Sequence, residues 1–416
     1  MYTLELTAIY KILINKGFIN IVINDILKES KLDVKRKALF TRIVYGVVEN
    51  KILLDYQISF YLEKDSLPKE VKNLLRMATY MVLYMNLSNH HVVLEIVEMV
   101  KKISPNYTSL FNGILRNITR NQEQEVYFDD YNRLLSVKYS YPISLISLLK
   151  KQYPDMIEDI LKHDSETYNV YRINTLKTTI EFIKEDLKDY EFELIGTALI
   201  TKANLTNLNI FKKGFIVYQD LASQRVSEVL NPTANSKILD MCSAPGSKAF
   251  HMAALTNNLA EITCCDIYEH KIKLIEKSSK RLGLDIIKTK VCDASQYDSK
   301  LGEFDCVLCD VPCSGLGIIR RKPEIKYKNF EEFDDLCKIQ LNIIENAKKY
   351  LKKGGKLLYS TCTLRKKEND DIVVGKVNVD EEMELASKFG VTTIPTLAVI
   401  KNGEVVNRSS GAKPKA

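Results

Sequence analysis

Five short apolar runs, at 237–241, 261–265, 287–292, 304–309 and 356–359, are separated mostly by stretches with helical periodicity, the last of these being 339–351. A chain of this pattern has few options. Each short strand needs a crossover to lie parallel to the next, so an α/β domain with a doubly wound parallel sheet is expected. In such sheets ligands bind beyond the carboxyl ends of the strands, and the residues that follow each run are therefore the candidates for chemistry. The fourth run empties into Asp310-Val311-Pro312-Cys313-Ser314-Gly315-Leu316-Gly317, and the fifth into Ser360-Thr361-Cys362-Thr363. If these two strands are neighbours, the two thiols face one cleft.

All nine cysteines lie between Cys242 and Cys362. Cys264, Cys265, Cys292, Cys306 and Cys309 fall inside or at the ends of apolar runs, where a free cysteine is an ordinary small core residue. Cys313 and Cys362 have polar, Gly and Pro neighbours instead, which describes exposed turns where a thiol can ionise and attack. The chain holds only five histidines, His90, His91, His163, His251 and His270, and no metal site is expected.

The first run opens into Asp240-Met241-Cys242-Ser243-Ala244-Pro245-Gly246-Ser247-Lys248 and then a helical pattern through Phe250, Met252 and Ala253. Pro and Gly let the backbone turn tightly beside a ligand, and the start of a helix offers unpaired N–H groups. The loop is not GxGxxG, so a dinucleotide pyrophosphate is not indicated. Asp266 ends the second run, where a carboxylate suits a ribose diol. Asp293 ends the third, where it suits an adenine amine. Either acid also fits a helix N-cap, and acids at two successive strand ends favour the ligand reading.

With 416 residues the chain has material for two to four domains, and its 45% hydrophobic and 27% charged content excludes a disordered chain. No apolar stretch approaches membrane-spanning length, and Met1-Tyr2-Thr3-Leu4-Glu5 does not begin a signal peptide, so a cytoplasmic protein with reduced thiols is expected. A net charge of +7 is a modest bias towards polyanions such as RNA. Up to about residue 121 the text is helical. Leu39, Ile43, Val44, Val47 and Val48 form one apolar face, and Leu74, Leu75, Ala78, Val82 and Leu83 another, which predicts a helical bundle. Lys31, Lys35, Arg36 and Lys37 offer phosphate contacts, although a solvated helix face is the plainer reading. Between 126 and 213, helical patterns at 145–151 and 178–187 and strands at 169–174 and 191–199 predict a small α+β module, with the sheet domain beginning at 214.

Two resemblances sharpen these expectations. Leu74-Leu75-Arg76-Met77-Ala78-Thr79-Tyr80, Leu94-Glu95-Ile96-Val97-Glu98 and Phe111-Asn112-Gly113-Ile114-Leu115-Arg116 resemble the all-helical NusB RNA-binding domain, here residues 1–125. The loop at 240–248, Asp266, Asp293, the loop at 310–317, Arg320-Arg321-Lys322-Pro323-Glu324-Ile325, and Tyr359-Ser360-Thr361-Cys362-Thr363 with Glu368-Asn369 resemble the S-adenosylmethionine-dependent RNA cytosine carbon-5 methyltransferases, and with a NusB-like domain in front, the RsmB/Sun type. This resemblance implies a Rossmann-like domain at 214–371 that binds S-adenosyl-L-methionine through Cys242, Ser243, Ala244, Pro245, Gly246, Ser247, Lys248, Asp266, Asp293 and Asp310. It implies Cys362 as the nucleophile that adds to carbon 6, Cys313 as the thiol that aids release, Asp310 on the cytosine edge and Lys248 beside cofactor and base. The implied partner is small-subunit ribosomal RNA with an unpaired or flipped cytosine; the sequence does not fix the oligomeric state, and a monomer is expected. Ser243, Ser247 and Ala249 stand where the family usually shows Ala, Gly and Thr. The alternative is a non-catalytic RNA-binding or antitermination-like factor with an impaired methyltransferase domain.

Beyond about residue 371 the text changes. Val374-Gly375-Lys376-Val377-Asn378-Val379-Asp380, Glu384 to Val391, Thr393-Ile394-Pro395-Thr396 and Lys401-Asn402-Gly403-Glu404-Val405-Val406 resemble the C-terminal half of thioredoxin. The redox half is absent and no cysteine follows Cys362, which excludes disulfide exchange for the segment 372–416. The chain therefore reads as a chimera, with a methyltransferase sheet lacking its usual last strands and a partial thioredoxin fold behind it. Within that tail, 396–400 and 405–409 predict a hairpin turned at Asn402-Gly403. Patterned for another core, it is expected to dock poorly on the edge strand at 356–359.

Overall fold

The structure is a computed structural model that describes residues 2–62, 67–165, 168–329, 333–370, 396–401 and 404–410. The chain forms two compact units, Met1–Glu166 with Gly315–Phe330, and Thr167–Ser314 with Glu331–Ala416.

The first unit is helical, with α1 (Thr3–Leu13), α2 (Ile19–Glu29), α3 (Val34–Glu49), α4 (Lys51–Ser59), α5 (Lys69–Tyr84), α6 (Asn89–Ile103), α7 (Thr108–Asn121), α8 (Tyr131–Lys138), α9 (Ile143–Gln152) and α10 (Ile157–Ser165). Asp33 and Asp130 start α3 and α8 by accepting the N–H groups of Arg36 and Arg133 at 2.7 and 2.6 Å. The two predicted apolar faces meet in one core with Phe111, Ile114, Leu115 and Ile118 of α7. Close helix packing needs Gly46, since a Cβ there would stand 1.9 Å from the Tyr80 ring. Of the basic cluster, Arg36 is used structurally, paired with the buried Glu5.

The stretch 126–213, read from the sequence as one module, divides. Its helices α8–α10 belong to the helical unit, where Ile52 N–H donates to Ser140 Oγ at 2.8 Å and Gln124 N–H to Gln57 Oε1 at 2.8 Å. Segment 315–330 is held in the same unit. Glu324 accepts the N–H of Ile19, the first residue of α2, at 3.1 Å, while Lys326 donates to the carbonyls of Glu49 and Tyr139 at 3.3 and 3.4 Å. An acid thus meets a helix start and a cation meets helix ends, as the peptide dipoles prefer. Burial pulls the Lys326 amine down to about 8.

The second unit begins with β1 (Asn169–Ile173), α11 (Ile180–Asp186), β2 (Glu193–Ile195), β3 (Ala198–Thr201), α12 (Asn209–Lys212) and β4 (Ile216–Tyr218). These strands make an antiparallel sheet in the order β2-β3-β1-β4. The single strand expected at 191–199 is a hairpin, turned where Gly196 takes a φ of +60°. Just past the boundary expected at 214, β4 pairs with β1 in this sheet, while its Val217 packs into the core of the parallel sheet that follows.

Next come α13 (Leu221–Leu230), β5 (Lys237–Asp240), α14 (Ser247–Leu255), β6 (Glu261–Asp266), α15 (Glu269–Leu282), β7 (Ile287–Val291), β8 (Phe304–Asp310), α16 (Asp334–Ala347) and β9 (Leu351–Ser360). They form the expected parallel sheet, in the order β7-β6-β5-β8-β9. Chain direction across the sheet reverses at β5, and its carboxyl end is where a doubly wound sheet opens a crevice. Two apolar cores cover the faces. Cys306 lies in one and Cys309 in the other, so this Cys-x-x-Cys spacing brings no two thiols together. Of the five cysteines read as core, Cys264, Cys265, Cys306 and Cys309 are buried and Cys292 is only half-buried.

The predicted hairpin is present as β10 (Thr396–Lys401) and β11 (Glu404–Ser410), which pair antiparallel as a separate two-stranded sheet. Residues 371–395, which carry most of the thioredoxin resemblance, lie outside the described residues. Among the described residues no helix is long and apolar enough to cross a membrane.

Candidate active site at the carboxyl ends of the parallel strands

Strands β8 and β9 are direct neighbours, with Asp310 opposite Ser360, so the loops that follow them start side by side. This brings Cys313 Sγ within 2.9 Å of Cys362 Sγ, and the Cys362 N–H donates to Cys313 Sγ at 3.2 Å. Cys362 is exposed and Cys313 half-buried. At the end of β8, Asp310 accepts from Lys248 Nζ at 2.5 Å on one oxygen and from Ser360 Oγ at 2.7 Å on the other. The Lys248 charge is therefore paired directly with Asp310. Lys248 reaches it from the first turn of α14, so β5, β8 and β9 all converge on the same place.

A buried network ties the two cysteine loops together. Glu368 Oε2 accepts the Ser314 N–H at 2.9 Å and Gln340 Nε2 at 3.0 Å, and the same Gln340 amide donates to the Pro312 carbonyl at 2.9 Å. Ser314 Oγ and Thr363 Oγ1 share a hydrogen bond of 2.6 Å across the loops. Asn369 accepts from Thr361 Oγ1 at 2.7 Å and donates to the Thr363 carbonyl at 3.0 Å, closing the loop that carries Cys362. Gln340 was not among the residues singled out from the sequence, and Ser360 was named there only as part of its loop. The available signal for Gln340 was an amide on the buried face of α16, three residues before the buried Ile343.

The cofactor side of the reading sits at the ends of β5, β6 and β7. Ser243 N–H donates to the Cys265 carbonyl at 2.8 Å, its hydroxyl to Asp240 at 2.9 Å, and Gly246 N–H to the Ser243 carbonyl at 2.6 Å. Gly246 has a φ of +98° and would place a Cβ 2.4 Å from Phe250, so glycine is required where the loop enters α14. Ala244 is half-buried and Pro245 exposed in this turn, and Ser247 is the first residue of α14. Burial, and then the charge of Asp310, pushes the Asp240 carboxyl up to about 7. Burial also raises the Cys242 thiol, and lifts Cys265 and Cys309 to about 12, which removes all three as nucleophiles.

Asp266 is nearly buried at the end of β6, accepting the Tyr268 N–H at 3.1 Å with Lys271 Nζ at 3.5 Å. Asp293 is exposed just past β7, and its Oδ1 accepts both the N–H and the hydroxyl of Ser295 at 2.9 and 2.7 Å. That is a local side-chain turn, not the helix N-cap the sequence left open, since no helix starts at Asp293. The Cys292 N–H bonds the Asp266 carbonyl at 3.1 Å, so the two acids end adjacent strands. Two strand-end carboxylates beside a tight loop at a helix start are acceptors suited to the hydroxyls and amine of a nucleoside. Among the described residues no group of three or more His, Cys, Asp or Glu side chains could hold a metal ion.

Residues 227–403 match the family described as 16S rRNA methyltransferase RsmB/F, and residues 3–120 match the NusB family. The first match runs past residue 371 and so includes part of the segment likened to thioredoxin. The probable ribosomal RNA small subunit methyltransferase B of Bacillus subtilis (strain 168) is 33% identical over 396 residues, covering 89% of this chain and 86% of its own. The ribosomal RNA small subunit methyltransferase B of Escherichia coli O157:H7 (strain EC4115 / EHEC) is 30% identical over 355 residues, covering 82% of each. Among solved structures, PH0851 superposes with a TM-score of 0.73 at 25% identity over 89% of this chain and 86% of that one. NSun6 from Pyrococcus horikoshii with SFG shares the fold, with a TM-score of 0.53 at 20% identity over 64% of this chain and 90% of that one. With relatives this similar along most of both chains, and both matches in the same order, the chain belongs to the RsmB/F family of 16S ribosomal RNA methyltransferases and carries an N-terminal NusB domain.

Proposed function

We propose that this chain methylates carbon 5 of an unpaired or flipped-out cytosine in 16S ribosomal RNA, using S-adenosyl-L-methionine, with Cys362 as nucleophile and Cys313 as the thiol that aids release. The observation that carries this reading is the pair of sulfurs 2.9 Å apart beside the Lys248–Asp310–Ser360 cluster. Carbon 5 of cytosine is a poor nucleophile. Addition of the Cys362 thiolate to carbon 6 forms an S–C bond and pushes electron density onto carbon 5. Asp310, steadied by Lys248 and Ser360, is placed to hydrogen-bond the cytosine edge and favour ring protonation as the thiolate adds. After methylation, loss of the carbon 5 proton lets the electrons return and break the bond to Cys362, the step assigned to Cys313.

The cofactor, when bound, supplies the electrophilic methyl group. Asp266 would hold its ribose diol, Asp293 its adenine amine, and the backbone of the turn from Cys242 to Ser247 would line it, Lys248 lying next to it. The NusB domain and the net charge of +7 suit a polyanionic partner. Such an enzyme works as a monomer in the cytoplasm, where its thiols stay reduced.

The test is methyl transfer from labelled S-adenosyl-L-methionine to unmodified small-subunit RNA, read out as 5-methylcytosine. Cys313→Ala is expected to accumulate a covalent protein–RNA adduct, and Cys362→Ala to form none. An adduct that survives in Cys362→Ala would overturn the assignment. RNA binding by the intact protein without any transfer would favour the RNA-binding-factor reading instead.

A further inference from the structure

We infer that Gln340 and Glu368 are positioning residues that set Cys313 for its step. The inference rests on the reading of Cys313 as the release thiol and goes beyond it. Both side chains are completely buried, and their three hydrogen bonds form a closed bracket around one residue. On one side of Cys313, Gln340 Nε2 holds the Pro312 carbonyl at 2.9 Å. On the other, Glu368 Oε2 holds the Ser314 N–H at 2.9 Å, and the 3.0 Å bond between Gln340 and Glu368 joins the two ends. Pro312 has no N–H of its own to anchor this turn, so the loop depends on outside partners.

The bracket acts on the sulfur, not only on the fold. Ser314, once held, shares the 2.6 Å bond with Thr363, and the Cys362 N–H points at Cys313 Sγ. Shifting the peptide before or after Cys313 therefore changes the separation between the two thiols. A buried carboxylate that accepts two N–H bonds is also a strong and stiff anchor, because leaving any of these groups unpaired away from water costs more than a neutral surface bond returns. Nothing in the bracket touches Asp266, Asp293 or the 242–247 turn. Its loss should leave cofactor binding alone.

The prediction concerns a specific kinetic signature. Gln340→Leu removes both amide bonds at similar volume and is expected to raise the steady-state protein–RNA adduct about tenfold over the unaltered protein, with kcat falling and cofactor affinity unchanged. Glu368→Gln, which keeps the size of the side chain, is expected to do the same to a smaller degree and serves as the readout should the leucine variant fail to fold. Adding Gln340→Leu to Cys313→Ala should trap no more adduct than Cys313→Ala alone, since both act on one step. A folded Gln340→Leu or Glu368→Gln protein that releases RNA like the unaltered chain, while Cys313→Ala traps adduct, overturns the inference. So does a variant that forms no adduct at all, like Cys362→Ala. If Cys313→Ala itself traps nothing, the underlying reading of Cys313 has failed instead, and the two failures are told apart by that control.

Discussion

At the scale of single residues, two acids at strand ends behave differently because their surroundings differ. Asp266 is held by a backbone N–H and by a lysine, which orient it as an acceptor at the end of β6. Asp266→Ala is expected to weaken S-adenosyl-L-methionine binding about tenfold or more, measured by calorimetry, without lowering the melting temperature. Asp240 is buried, with Ser243 donating to it and Asp310 and Lys248 nearby, and its carboxyl titrates near 7 rather than at its ordinary 3.8. A carboxyl raised in the folded state gives stability that is fully present below the unfolded value and is lost as pH climbs to the folded value. Asp240→Asn removes that titration, so it should gain stability relative to the unaltered protein between about pH 5 and 7, by about 1–3 kcal/mol. Melting curves at the two pH values decide it, and an advantage that shrinks with rising pH would refute the argument. The thiols at Cys313 and Cys362 were legible in the sequence because polar and glycine neighbours at a strand end are local signals. Gln340 was not, since its partners Pro312 and Glu368 each lie 28 residues away.

At the scale of elements, local chemistry explains most starts and stops, while packing sets the exceptions. Gly46 sits inside α3, where alanine would normally favour the helix by about 1 kcal/mol. The Tyr80 ring occupies the space that a Cβ needs, and overpacking of this kind costs about 1–3 kcal/mol or more. Gly46→Ala is therefore expected to destabilise the helical unit in urea unfolding, and Tyr80→Leu in the same chain should recover part of the loss. Lys326→Met is the complementary case. It would leave the Glu49 and Tyr139 carbonyls without their cation and is expected to cost about 1–3 kcal/mol in the same measurement. The β2–β3 hairpin was hidden in the sequence because two short strands around one glycine read as a single run. β4 was read with the parallel sheet because Ile216 and Val217 are apolar in either setting, and only pairing with β1 places the strand in the antiparallel sheet.

At the scale of the whole molecule, the tail follows the loop that carries Cys362, and its strand β10 meets the edge strand β9. The hydrogen bonds that hold Cys313, Cys362, Asp310 and Lys248 come from residues up to Asn369. Removing 372–416 is expected to leave cofactor affinity within about twofold, because Asp266, Asp293 and the 242–247 turn lie at the ends of β5, β6 and β7 on the other side of β8. A larger loss would assign the tail, including the β10–β11 hairpin, a part in supporting the edge strand β9.

Sequence alone determined the alternation of strands and helices, the helical N-terminal bundle, the positions of the strand-end loops and the types of residue they carry. Periodicity and turn chemistry are properties of neighbouring residues, so they can be read along the chain. Tertiary structure decided which strands are neighbours, and with it that Cys313 and Cys362 stand 2.9 Å apart. It also paired Lys248 with Asp310, and gave Glu368, Gln340 and Ser360 their tasks. Those outcomes depend on contacts between distant segments, whose energies come from burial and hydrogen-bond partners that no local pattern specifies.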